Sequence, residues 1–239
     1  MTISAYGGNK PVNEDAMYLG KNGLYIVADG MGGHPTPAIA SRLAVKIIAK
    51  ECPGHKPDPD VLRAALMKAN KGLLDCAKLD PSTHDMGTVI SVVWIRIGYY
   101  GKYVLAHLGD TSVYQFERTA ANTRFRITPS HSKDGFITRY LGMRTLTPEM
   151  IHMEEGHLGP GGHFLMSSDG FDSALFQTGW SELLGIIQDE EQSLENRVKR
   201  LSKRATISFD FFQPKVTFDG NDDDLTVVLI ERENPSGPS

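Results

Sequence analysis

The stretch Leu24-Tyr25-Ile26-Val27-Ala28-Asp29-Gly30-Met31-Gly32-Gly33-His34 decides how the rest of the chain is read. An unbroken apolar run enters an Asp-Gly pair, which reads as a buried strand followed by a sharp turn. Thr36-Pro37 then opens a helix, with Thr36 as N-cap and Pro37 at the first helical position. Ile39, Leu43 and Ile47 recur every four residues and give that helix one apolar face. A second helix starts at Asp58-Pro59, and Leu62, Leu66, Ala69, Leu73 and Ala77 lie along one side of it.

Beyond the second helix the pattern changes. The segments 88–97, 103–108 and 111–116 are rich in Val, Ile, Tyr and Trp with Gly between them, and read as strands of an antiparallel meander. A further strand over 164–167 ends at Asp169-Gly170, helices are expected over 181–187 and 194–207, and a last strand over 225–230. Strands, two helices, strands, helices and a strand suggest packed sheets covered by helices rather than a βαβ repeat.

Acidic residues recur where apolar strands begin or end. Asp29, Asp110 and Asp169 each follow such a run, Asp223 precedes Leu-Thr-Val-Val-Leu-Ile, and Glu14-Asp15 lead into Ala-Met-Tyr-Leu. Any one of them reads equally well as a turn residue. Together they point to a shared site. Carboxylates brought together repel one another and call for cations between them. An oxygen-rich, His-poor set suits Mg²⁺ or Mn²⁺ rather than zinc.

Composition narrows the classes. The chain has 239 residues, a hydrophobic content of 40% and a net charge of -4, with its basic residues scattered. That leaves room for a substantial core and argues against nucleic-acid binding. Cys52 and Cys76 stand alone, without a second Cys or a His at zinc-ligand spacing, as expected of a reducing cytoplasm. There is no signal peptide at the start and no apolar run long enough for a membrane span. A cytoplasmic monomer that binds neither membrane nor nucleic acid is the expectation. The chain reads as one domain over 1–232, with a frayed tail at 233–239.

The ordered set Asn13-Glu14-Asp15, Val27-Ala28-Asp29-Gly30-Met31-Gly32-Gly33-His34, Met86-Gly87-Thr88, Gly109-Asp110-Thr111, Ser168-Asp169-Gly170 and Asp223-Asp224-Leu225-Thr226 resembles the metal-dependent protein phosphatases of type 2C, in their compact bacterial form. The similarity runs from about Tyr6 to Ile230. It implies an α+β fold, a four-layer α-β-β-α sandwich of two antiparallel sheets flanked by helices. It also implies hydrolysis of phosphoserine and phosphothreonine on proteins by a water bridging two divalent cations, Mn²⁺ or Mg²⁺, with a third ion as an addition. Carried over residue by residue, Asp29 bridges the two core ions. Glu14 and the backbone carbonyl of Gly30 bind one of them, and Asp169 and Asp223 bind the other. Asp110 joins Asp169 at the third ion, and Asp15 orients water. The partners implied are phosphorylated proteins and a cognate Ser/Thr kinase pathway in signal transduction.

The chain departs from the family pattern at several places. Lys10 stands where a phosphate-binding Arg is usual, and offers a point charge in place of a planar fork. Ser130 replaces Asp in Thr128-Pro129-Ser130-His131-Ser132, and Ile137-Thr138-Arg139-Tyr140-Leu141-Gly142 follows almost at once, so the flap of the family is short or absent. Asp224 stands where Asn is usual. A Cys-based phosphatase mechanism fails, because Asp58 and Ser82 occupy the positions where an Arg is needed after Cys52 and Cys76. The rival reading is a catalytically silent, phosphatase-like binding module, favoured by Lys10 and the missing flap and opposed by the intact carboxylates.

Overall fold

A computed structural model of the protein describes residues 2–7, 13–97, 101–117, 124–172, 180–205 and 224–232. Lys10, Asp223 and the tail at 233–239 lie outside the described residues.

The strands and helices of the described residues organise into layers. One sheet has the order β10-β5-β4-β3-β2, from β2 (Asp15–Leu19), β3 (Leu24–Gly30), β4 (Thr88–Ile95), β5 (Lys102–Leu108) and β10 (His152–His157). The other has the order β1-β12-β11-β6-β7, from β1 (Thr2–Gly7), β6 (Ser112–Phe116), β7 (Arg124–Arg126), β11 (His163–Ser167) and β12 (Thr226–Glu231). All pairings within both sheets are antiparallel. Helices α1 (Pro37–Glu51) and α2 (Pro59–Leu79) cover the first sheet. Helices α3 (Trp180–Ile187) and α4 (Leu194–Ala205) cover the second. Among the described residues no helix is long and apolar enough to cross a membrane.

The period of two along each strand sorts the core into three apolar seams. From β3, Leu24, Ile26 and Ala28 face α1 and α2, while Tyr25 and Val27 face the other sheet. From β12, Val227 and Leu229 face α3 and α4, while Val228 and Ile230 meet Tyr25, Val27, Val93 and Leu105 between the sheets. Four layers follow from three seams, because the central strands are apolar on both faces and need a partner layer on each.

Several expectations change. Thr36 does precede α1, but its backbone is left-handed (φ 52°, ψ 51°) and its side chain makes no cap hydrogen bond. A capping hydroxyl needs an extended backbone to reach the first-turn N–H groups. The buried face of α1 is not Ile39-Leu43-Ile47. Ala40, Ser41, Ala44, Val45 and Ile48 are buried, and Ile39 is 47% exposed. Small residues let the helix lie close on β3, while Ile47 turns toward Gly72 of α2. The expected meander divides: β4 and β5 pair with each other, but β6 crosses to the second sheet and pairs with β11 and β7. The flap is reduced to β8 (Ser132–Lys133) and β9 (Phe136–Ile137), joined by Asp134-Gly135. Helix α2 starts at Pro59 as expected, and Asp58 caps it, accepting from the N–H groups of Asp60 and Val61.

Candidate active site

The inner faces of the two sheets meet solvent at the end where β3 stops. Asp29 continues the Tyr25-Val27 alternation and so belongs to the inter-sheet face. Asp15 is its direct partner across the β2–β3 pair, so both side chains leave the same face. Cross-strand neighbours of this kind have Cβ atoms roughly 5 Å apart. Opposite them, Ser168 follows β11 and Thr226 opens β12. The two are locked together: the Ser168 N–H donates to the Thr226 carbonyl at 3.1 Å, and the Thr226 N–H donates to Ser168 Oγ at 3.0 Å. Asp169 and Asp224 flank that lock. Acidic residues from both sheets thus come out at one mouth.

Asp15 records the electrostatics of this mouth. It is 6% exposed, and neither carboxylate oxygen has a hydrogen bond of ordinary geometry among the described residues. Burial pushes its carboxyl up to about 6, the Asp224 charge adds to the rise, and the side chains of Thr226, Ser168 and Asp29 pull it back only partway. A sequestered carboxylate with unmet acceptor capacity is an observation that fits a cation.

Backbone bonds fix the surrounding groups. Glu14 donates its N–H to Asp224 Oδ2 at 2.8 Å, and its carbonyl accepts from Ser41 Oγ at 2.6 Å and from the Gly30 N–H at 3.2 Å. Asn13 Oδ1 accepts from the Asp15 N–H at 2.8 Å. Thr88 Oγ1 donates to the Asp29 carbonyl at 2.6 Å. Gly30 has to be glycine, because a Cβ there would sit 2.3 Å from the Pro37 carbonyl oxygen at the start of α1. The loop after it is tied to the segment entering β4: the Met31 N–H donates to the Gly87 carbonyl at 3.0 Å, and His34 Nδ1 donates to the Asp85 carbonyl at 2.6 Å.

Asp110 sits on the crossing from β5 to β6. Gly109 before it has φ 105° and packs so tightly on Val89 that a Cβ would come within 2.2 Å. Val89 is in register with Asp29, so the crossing lies two strands from Asp29 in the same sheet, about 10 Å away. His131 clamps it, its N–H donating to the Gly109 carbonyl at 2.7 Å and its Nδ1 accepting from the Gly109 N–H at 3.1 Å. Arg126 donates to the Asp110 carbonyl at 3.0 Å.

Glu14, Asp15, Asp29, Gly30, Asp169 and Asp224 therefore share one end of the sandwich, with Asp110 at its border. Among the described residues, no three His, Cys, Asp or Glu side chains close to metal-holding distance of one another. The sequence reading missed Asp172. It lies one helical turn after Asp169, is 7% exposed, and accepts from Ser112, from Ser167 at 2.8 Å and from Tyr114 at 3.3 Å. Burial raises its carboxyl, and these hydroxyls with the Arg126 charge oppose the rise. It pins the turn that carries Asp169 onto β6 and β11. Its signal in the sequence was a lone acid inside the apolar stretch Gly-Phe-Asp-Ser-Ala-Leu-Phe.

Comparison with known proteins agrees with this geometry. The chain is 26% identical to the serine/threonine protein phosphatase PstP of Mycobacterium tuberculosis, over 92% of this chain and 42% of that protein. It thus spans less than half the length of that relative. It is also 26% identical to the serine/threonine phosphatase stp of Listeria welshimeri, over 87% of this chain and 84% of that one. Its fold matches a crystal structure of a bacterial serine phosphatase with TM-score 0.80 at 18% identity, over 99% of both chains. It matches the PstP catalytic domain in complex with two manganese ions with TM-score 0.74 at 22% identity, over 95% of this chain and 96% of that one. The protein phosphatase 2C family model matches residues 8–204, and the chain belongs to that family.

Proposed function

We propose that the chain hydrolyses phosphoserine and phosphothreonine on proteins, in a reaction that depends on Mn²⁺ or Mg²⁺. The observation that carries this reading is the mouth shared by Asp15, Asp29, Asp169 and Asp224, where a buried carboxylate keeps its acceptor capacity unmet. Glu14, Asp29 and the Gly30 carbonyl would hold one ion, and Asp29, Asp169 and Asp223 the other, with Asp110 and Asp169 serving a third. When bound, such ions supply a water activated near neutral pH and positive charge that offsets the phosphoryl oxygens.

The chain's own residues set the rest. Asp15 lies beside the Ser168 and Thr226 hydroxyls, placed to orient water toward the phosphorus. Lys10 attracts the phosphate dianion. Arg42, whose Nη2 donates to the Asn13 carbonyl at 3.2 Å, is a further cation close to Glu14. His34 and His131 each commit Nδ1 to a backbone group, of Asp85 and Gly109; no side chain is assigned as general acid, and water protonates the leaving alkoxide. The substrates on this reading are phosphoproteins of a Ser/Thr kinase pathway in the cytoplasm.

The deciding measurement is phosphate release from a phosphothreonine peptide and from para-nitrophenyl phosphate, with Mn²⁺ and with excess chelator. Release with Mn²⁺ and none with chelator is expected. No release in Mn²⁺ or Mg²⁺ would leave the silent binding module as the reading. Full release in chelator would remove the metal-dependent mechanism.

A further inference from the structure

A pocket of about 370 Å³ opens between the C-terminal half of α2 and the segment that enters β4. Leu73, Leu74 and Ala77 of α2 form one side, Met86 lies opposite, and Asp85 and Arg144 stand at the rim. Its lining is mainly apolar, and its volume falls in the range of small-ligand sites, about 300–1,000 Å³. At the rim Arg144 Nη2 donates to Asp85 Oδ1 at 3.3 Å, and Asp85 has a left-handed backbone at φ 60°.

What lies behind the pocket gives it meaning. The segment 85–88 has the pocket on one side and the loop after Asp29 on the other. Its carbonyls at Asp85 and Gly87 receive His34 and the Met31 N–H, Met86 Sδ meets Thr36 Oγ1 at 4.0 Å, and Thr88 Oγ1 holds the Asp29 carbonyl. Segment 85–88 thus ties the pocket to the loop after Asp29, at the end of the first sheet where Gly30 pairs with Thr88. Met86 is two residues from Thr88, and three extended residues of a peptide cover about 10 Å. The neighbours of a phosphorylated residue at the mouth can therefore reach toward the pocket along an extended peptide.

We propose that this pocket receives an apolar side chain of the phosphoprotein substrate, such as Leu, Ile or Met, within about four residues of the phosphorylated position. The proposal rests on the phosphatase reading above. Continuity with the mouth and the apolar lining select a peptide side chain as occupant. Among the described residues the β8–β9 hairpin is too short to cover a substrate. The pocket contacts a remote part of the substrate equally before and during reaction, so its effect falls on KM rather than kcat.

The test uses the full chain in saturating Mn²⁺ and a polar phosphothreonine peptide, together with variants carrying a single Leu at each nearby position in turn. Leu at one position, or at two neighbouring positions, should raise kcat/KM about ten-fold, mainly through KM. Ala77→Trp, which fills the pocket from α2, should erase that gain and leave para-nitrophenyl phosphate turnover unchanged. Leu74→Asn, which makes one wall polar, should reduce the gain, and it carries the test if the Trp variant fails to fold. A gain at no position, or one that survives both substitutions, overturns the proposal. So does a dimer that Ala77→Trp dissolves without any Leu preference in the parent, which would assign the pocket to a second copy of the chain. If the parent cleaves neither the ester nor any peptide, the phosphatase reading itself fails and the pocket proposal falls with it.

Discussion

Asp29 and Asp15 were legible as candidate site residues because each adjoins an apolar strand, and the β2–β3 register makes them facing partners. Asp172 showed in the sequence only as a lone acid among apolar residues, and its role was not legible, since the hydroxyls that hold it come from two other strands. For Asp29→Asn and Asp169→Asn we expect turnover to fall at least ~100-fold, about 3 kcal/mol on the barrier. Folding should survive, because each change relieves like-charge repulsion. Near-normal turnover at saturating Mn²⁺ in either variant would withdraw that residue from the ligand set. The neighbours Asp223 and Asp224 give a sharper contrast. Asp224 uses Oδ2 as acceptor for the Glu14 N–H, a bond that an Asn oxygen also makes, and its charge raises the Asp15 carboxyl. Asp224→Asn should keep kcat within about threefold, under 1 kcal/mol on the barrier. It should also stabilise the metal-free protein by ~1 kcal/mol in urea unfolding. Asp223→Asn should behave like Asp29→Asn. The reverse pattern in the kinetics would make Asp224 the ligand.

At the level of elements, β3, α2 and β11 were readable from period and capping alone, because their apolar patterns match the faces they bury. Three features were not. The face of α1 was misjudged because closeness to β3 selects small side chains over large ones. Strand β10 is a polar edge carrying His152, Glu154, Glu155 and His157, and lacks the apolar alternation that marks a strand. The move of β6 into the second sheet depends on the Gly109 turn and on a buried polar chain that links distant segments. His107 Nε2 faces the carbonyls of Gly109 at 3.0 Å and Pro129 at 2.9 Å, so it carries the proton. Its Nδ1 then accepts from Ser91, and Ser91 accepts from Thr111. His107 is fully buried and stacks on His131, and burial first, then the neighbouring His131, pushes its pKa down to about 3. Below pH 6.5 the unfolded chain takes up a proton that the folded chain refuses until about pH 3, so folded-state stability is lost as pH falls through that window. Between pH 7 and pH 5 His107 alone should account for about 2 kcal/mol of lost stability. Urea unfolding of the parent and of His107→Gln at both pH values checks this. The variant should lose about 2 kcal/mol less than the parent over that interval, and equal losses would show that His107 is not the source.

For the molecule as a whole, the four-layer sandwich follows from strands that are apolar on both faces, a property written in their amino-acid sequence. Which helices cover which sheet was not visible there, because it depends on pairings between remote segments. The acidic mouth joins the two sheets, so a cation held there should stabilise the whole fold. Mn²⁺ at one hundred times its dissociation constant should add about 2.7 kcal/mol to the unfolding free energy. Asp29→Asn should lose most of that gain, and thermal melts with and without Mn²⁺ read it independently of catalysis. A parent melting curve that Mn²⁺ does not move would argue against tight binding at the mouth. The pairing of β1 with β12 has a further consequence, for the order of events during synthesis. The sheet built from residues 15–157 joins neighbours along the chain and can organise as it leaves the ribosome. The other sheet needs β12 to be inserted between β1 and β11, with partners as far apart as Thr2 and Glu231. A nascent chain that has not yet delivered Thr226 lacks one jaw of the acidic mouth, so the mouth closes only after the whole of the first sheet has been made.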